Sequence, residues 1–79
     1  MTPVIDLARR LRAEVASRLD PQELEYIDDF IFTGEEGLAV EFALGYAAHK
    51  GFAVDASLIN VADRLGWYSD GKRKTRAAA

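Results

Sequence analysis

The chain of 79 residues contains no cysteine, one histidine, one tryptophan, one methionine and two prolines. Without cysteine there is no disulfide framework, no thiolate zinc site and no thiol nucleophile. A single histidine speaks against a multi-histidine metal site and against a catalytic triad. No uncharged stretch approaches the ~20 apolar residues that span a bilayer. No charged segment precedes an apolar one in the manner of a secretory leader, so the cytoplasm is the expected address. No glycine-rich loop leads into Lys or Ser/Thr at a phosphate-binding spacing. An enzyme is therefore not expected, and neither a cofactor nor a metal is implied.

What remains is a globular composition: 49% hydrophobic, 29% charged, formal net charge −3. That length suits one small domain, which buries only roughly 60% of the surface its unfolded form exposes. The modest net charge is a cancellation. Residues 1–70 carry six bases against thirteen acids, a balance of −7, and Lys72, Arg73, Lys74 and Arg76 follow with no acid. From Leu19 to His49 there is no lysine or arginine, while eight acids fall in that stretch. Residues 1–68 are expected to form one domain, and residues 69–79 a basic, flexible tail.

Periodicity predicts an all-α fold, a compact bundle of four short helices. Thr2-Pro3 reads as a cap followed by proline in the first helical position. Val4, Leu7, Ala8, Leu11 and Val15 then form a stripe over a helix of about 3–19. Asp20-Pro21-Gln22-Glu23 is a capping-box start for a second helix over 21–32, striped by Leu24, Ile27, Phe30 and Ile31. Gly34 is suited to end that helix, and Thr33 with Glu36 resembles the next capping box. The third helix, about 35–50, is apolar nearly all round. Leu38, Phe42 and Tyr46 lie on one side of it, Val40, Leu44 and Ala47 on the other, with small residues between. Such a helix is central to the bundle or also meets a partner. If the protein is a homodimer rather than a monomer, Val40, Leu44 and Ala47 are its expected interface. Asp55 or Ser57 starts the last helix, with Leu58, Val61, Ala62 and Leu65 in a stripe. Gly66 closes it, and Trp67 is placed to fold back. No alternating strand pattern competes.

Candidate chemistry is sparse. His49 falls at a helix end, where it suits the helix dipole. Asp28-Asp29 and Glu35-Glu36 are adjacent pairs, which diverge by about 100° on a helix and so form no ready site. Asp55-Ala56-Ser57-Leu58 is similar to the Asp-Ser-Leu of acyl carrier proteins, but an alanine interrupts it and Ser57 reads as a helix-start residue. Val61-Ala62-Asp63-Arg64-Leu65-Gly66-Trp67 resembles the first helix and turn of a helix-turn-helix. The recognition helix would then be Tyr68-Ser69-Asp70-Gly71-Lys72-Arg73-Lys74, a poor helix with Asp-Gly in its middle.

The second helix is more informative. With Ile27 at the centre of the buried side, Glu25, Asp29 and Phe32 fall on the outward face, edged by Asp28, with Tyr26 on the other flank. Glu25 and Asp29 are a like-charge i, i+4 pair, which costs about 0.2–0.5 kcal/mol. Asp28 and Asp29 also lie far from the helix start, where acids are favourable. An outward phenylalanine among acids has the form of an interface anchor with a polar rim. Acids and an aromatic can occupy a groove built for phosphates, with electrostatically steered association.

An acidic helix ending in a Gly-Glu turn, then Leu38-Ala39-Val40-Glu41-Phe42-Ala43-Leu44, a short loop from Gly51 to Asp55 and a last helix with Ile59, Leu65 and Gly66 make up residues 22–67. This segment resembles the small immunity proteins of bacterial polymorphic and contact-dependent toxin systems, of the MafI type. It departs from them in a loop without proline, Phe52-Ala53-Val54-Asp55, and in its basic tail. The resemblance implies a protein that neutralises a cognate toxin, often an RNase, by binding it. It carries over no functional residue. The expected partner is thus a basic, nuclease-like protein toxin, met by Glu25, Asp28, Asp29 and Phe32, and next by Tyr26, Glu35 and Glu36. Nucleic acid and membrane are not expected partners; the alternative is a small DNA-binding module using the basic tail.

Overall fold

The computed structural model describes residues 3–67 and the pair Ala77–Ala78. Four α-helices follow one another: α1 (Pro3–Val15), α2 (Pro21–Phe32), α3 (Glu36–Lys50) and α4 (Ala56–Arg64). A 3₁₀ turn, Ala16–Arg18, finishes what the sequence reads as one helix over 3–19. The Thr2 cap and most of the expected basic tail lie outside the described residues. A two-residue strand β1 (Val54–Asp55) pairs in parallel with β2 (Ala77–Ala78), Val54 opposite Ala77. Two residues are too few for an alternating pattern, so the sequence carries no sign of this pair.

Each start and stop has a local cause. Asp20 accepts the Glu23 N–H at 2.9 Å, and Glu23 accepts the Asp20 N–H at 3.0 Å, the reciprocal box that opens α2. Three helices end at a glycine with φ near +80°: Gly34, Gly51 and Gly66. After α2, the Glu35 N–H bonds Phe30 O and the Gly34 N–H bonds Ile31 O; after α4, Trp67 bonds Ala62 O and Gly66 bonds Asp63 O. These are Schellman closures, open mainly to glycine because other residues meet a steric penalty at that φ. The expected Thr33–Glu36 box does not form. The Thr33 hydroxyl bonds back to Asp29 O and Phe30 O, and Glu35 caps α3 without a side-chain bond. At α4, Asp55 is the cap and accepts from both the backbone N–H and the hydroxyl of Ser57. The Asp55 N–H donates to the Glu14 carboxylate, which ties this start to α1.

The core is one cluster. Leu7, Leu11 and Val15 of α1, Ile27 of α2 and Val40 and Leu44 of α3 are fully buried with Ala39, Ala43, Ala47, Val54 and Ala62. Burying a Leu, Ile or Val side chain contributes about 1.5–3 kcal/mol. α3 packs most extensively against α1 and next against α2. The small residues decide which way α3 faces. Ala39, Ala43 and Ala47, four apart, let α1 and α2 come close, and Val40 and Leu44 are carried inward with them. The homodimer interface expected at Val40, Leu44 and Ala47 is therefore excluded, because that side is filled by the chain's own helices. Leu38 and Phe42 are the residues left outside.

Trp67 folds over the start of α3. A Cβ at Gly37 would collide with its indole, whereas a Cβ at Gly45, further along the same helix, would meet nothing within 4 Å. Opposite effects follow from the same substitution. Gly37→Ala should destabilise by about 1–3 kcal/mol through overpacking. Gly45→Ala should stabilise by about 0.5–1 kcal/mol, because the helix gains a better former at no steric cost. Urea midpoints measure both, and fluorescence of the single tryptophan should report a displaced indole in Gly37→Ala only.

The Asp55 cap sets a pH dependence. The Ser57 N–H, and second its hydroxyl, hold the Asp55 carboxyl below the usual aspartate range. A depressed carboxyl stabilises the fold above its unfolded pKa and loses that contribution as pH falls through the folded one. Asp55→Ala should therefore lower the urea midpoint at neutral pH, and the gap from wild type should close progressively below about pH 4.

Candidate functional site

α2 carries four acids after its cap, and the fold treats them in two ways. Glu23 reaches Lys50 at the end of α3, an ion pair between partly buried side chains. Asp28 accepts a bidentate pair from Arg12 of α1, Nε at 2.7 Å and Nη2 at 3.2 Å. The hydrogen bond to Asp28 holds the Arg12 guanidinium above its ordinary value, against a smaller opposing effect of burial. Both partners are about two-fifths exposed, so solvent limits the pair to no more than about 1 kcal/mol. Glu25 and Asp29 are exposed and have no ion-pair partner among the described residues. Asp28, expected at the edge of the outward face, is thus committed to joining α1 to α2.

Phe32, in the last turn of α2, does not bend inward; it is 91% exposed. Tyr26 is half exposed, and a cleft of about 140 Å³ brings it together with Gln22, Glu25 and Asp29. Glu25, Asp29, Phe32 and Tyr26 therefore share the outward surface of α2 assigned to them from the wheel. Glu35 and Glu36 do not join them. They line a separate cleft of about 530 Å³ with Val4, Gly37, Leu38 and Trp67, at the end where α1 begins.

The sequence reading missed a second surface beside the first. Phe30 of α2 stacks on Phe42 of α3 with centroids 4.9 Å apart, and Phe42 meets Tyr46 edge-on at 5.9 Å. The outer side of this aromatic row is a groove of about 420 Å³ lined by Glu41, Phe42, Gly45, Tyr46 and His49. Burial, and second the nearby Glu23, push the Tyr46 phenol above its ordinary range. It stays protonated at neutral pH and can donate a hydrogen bond. The available signal was the spacing of small residues. Ala39, Ala43 and Ala47 mark the packed side of α3, which leaves Leu38, Phe42 and Gly45 outward.

Other candidate chemistry has structural employment. The Ser57 hydroxyl donates to Asp55 at 2.8 Å. The segment expected as a recognition helix, Tyr68 to Lys74, lies outside the described residues. Among the described residues no group of three or more His, Asp or Glu is placed to hold a metal ion, and no helix is long and apolar enough to cross a membrane. Comparison with protein families, with curated proteins and with solved structures finds no match to the chain. The functional reading therefore stands on the two surfaces just described.

Phe32 gives a direct check on which residues belong to the core. Phe32→Ser should leave the urea midpoint within about 0.5 kcal/mol of wild type, as for other exposed positions. Ile27→Ala, one face away, should cost about 2–5 kcal/mol.

Proposed function

We propose that this protein is an immunity-type inhibitor, which binds a basic, nuclease-like toxin through the outward face of α2 and occludes its active site. The observation that carries the reading is the division of acids on α2. The fold uses Glu23 and Asp28, and leaves Glu25 and Asp29 exposed, one turn apart and beside a bare phenylalanine. A like-charge pair four residues apart costs about 0.2–0.5 kcal/mol, so the folded state gains nothing from it. A basic partner does gain: acids steer its approach, and Phe32 offers the apolar anchor that a charged rim lacks. A protein site that binds phosphates is basic, and an acidic face can hold it without chemistry of its own. The resemblance of residues 22–67 to MafI-type immunity proteins supports the same reading.

The test uses the nuclease domain of a toxin encoded beside this protein, with the full chain titrated against its activity. Wild type should inhibit at one-to-one stoichiometry. Glu25→Lys with Asp29→Lys should slow association by about tenfold or more at low salt, with unchanged helical content. Glu25→Lys alone should raise stability by a few tenths of a kcal/mol, because the introduced lysine would face Asp29 one turn on, while still weakening inhibition. Inhibition and association rate untouched by the double reversal would overturn the reading. Retention of wild type on DNA, lost when the four basic residues of the tail are neutralised, would favour the DNA-binding alternative instead.

A further inference from the structure

We infer that the groove on the outward side of α3, beside its aromatic contact with α2, receives a basic amphipathic helix of the protein partner. This rests on the acidic face of α2 being the contact surface, and it names what docks beside that face. The groove has an apolar wall and a small floor. Phe42 stays 39% exposed, although it is stacked on Phe30. Gly45 sits between it and His49 on the outward side of α3, in helical backbone, with open space where a Cβ would be. Neither φ nor a close neighbour requires glycine there. A missing side chain on an exposed helix face lets another backbone approach, which is what a helix lying in a groove needs.

The rim supplies the charge. Glu41 lines the groove itself, and Glu25 and Asp29 stand with Tyr26 on the outward face of α2, the helix whose Phe30 stacks on Phe42. No lysine or arginine occurs between Leu19 and His49, the stretch that holds both the groove residues and the acidic face of α2. An apolar groove with an acidic rim is complementary to a helix that has one apolar stripe flanked by Lys and Arg.

Charge and composition separate this occupant from two others. A second copy meeting the groove about a two-fold axis would set the same acidic rim against itself. Docking the basic helix α1 of a second copy there would offer no apolar stripe, since Leu7, Leu11 and Val15 are fully buried in their own core. The chain's own basic run, Lys72-Arg73-Lys74-Thr75-Arg76, has no large apolar residue to fill the groove.

The experiment measures binding of a synthetic Leu/Lys helix of about four turns to the full chain, beside a peptide of the same composition with its leucines scattered. The patterned peptide should bind at least about tenfold more tightly than the scattered one. Gly45→Trp, which fills the groove, should remove that preference, and Gly45→Gln should reduce it, with circular dichroism unchanged in both. Glu25→Lys with Asp29→Lys should slow association of both peptides. Equal binding of the two peptides, or a preference that survives Gly45→Trp, overturns the groove while leaving the acidic face standing if the double reversal still acts. No effect of the double reversal overturns the acidic face itself. A wild-type dimer in sedimentation that Gly45→Trp dissolves would place a second copy in the groove and overturn the inference. So would tighter peptide binding once Lys72, Arg73, Lys74 and Arg76 are changed to Gln, which would place the chain's own tail there.

Discussion

The close packing of α3 against α1 is the constraint from which the other features of this molecule follow. A chain of this length cannot bury many large side chains, so its core depends on tight approach rather than bulk. Ala39, Ala43 and Ala47 supply the approach, and Leu7, Leu11, Val15, Val40 and Leu44 supply the volume. Once that side of α3 is turned inward, Leu38 and Phe42 have nowhere to go but outward. Phe42 can then cover itself only partly, against Phe30 and Tyr46 at the seam with α2. The aromatic groove is thus a geometric consequence of the alanine side. Trp67 closes the far end of the same helix over Gly37, where the absent Cβ leaves room for an indole.

Electrostatics follow the packing. The two helices that flank α3 differ in sign, α1 carrying Arg9, Arg10 and Arg12 and α2 carrying Glu23, Glu25, Asp28 and Asp29. Where they meet, Arg12 and Asp28 neutralise one another, and where α2 meets the end of α3, Lys50 and Glu23 do the same. Arg10 is paired within its own helix to Asp6 at 3.0 Å. These three pairs lie at two helix seams and within α1. Among the described residues the outward side of α2 faces no other helix, and Glu25 and Asp29 present their charge to solvent there.

How much of this can be read from the residues depends on the range of the cause. The start of α2 is legible because Asp20, Pro21 and Glu23 act within three residues, and its end is legible because Gly34 takes a φ that other residues adopt only at a steric cost. Thr33 misleads because a hydroxyl at a helix end can bond backward as easily as it can cap forward. The outward positions of Glu25, Asp29 and Phe32 follow from helical period once Ile27 is taken as buried. The fate of Asp28 does not follow, since its partner Arg12 is sixteen residues away and nothing local fixes how α1 and α2 cross. The two sides of α3 were indistinguishable by hydrophobicity, because both are apolar. They differ in size, and size is what decides how near another helix can come.

Three features of the exposed surface are each unfavourable or neutral for folding: a like-charge pair at Glu25 and Asp29 with no ion-pair partner among the described residues, a bare Phe32, and a glycine at position 45 of a helix that has room for a side chain. Scattered over the molecule, they would be ordinary, since single exposed apolar or charged residues are common. They are not scattered. Tyr26 shares a cleft with the acids on α2, Gly45 lines the groove on α3 beside Phe42, which stacks on Phe30 of α2, and Phe32 is exposed in the last turn of α2. Folding selects residues for burial, capping and helix-forming tendency, and none of those asks for this set on neighbouring outward faces of two helices. The proposed partner, basic and apolar where it meets Phe32 and Phe42, would account for all three at once.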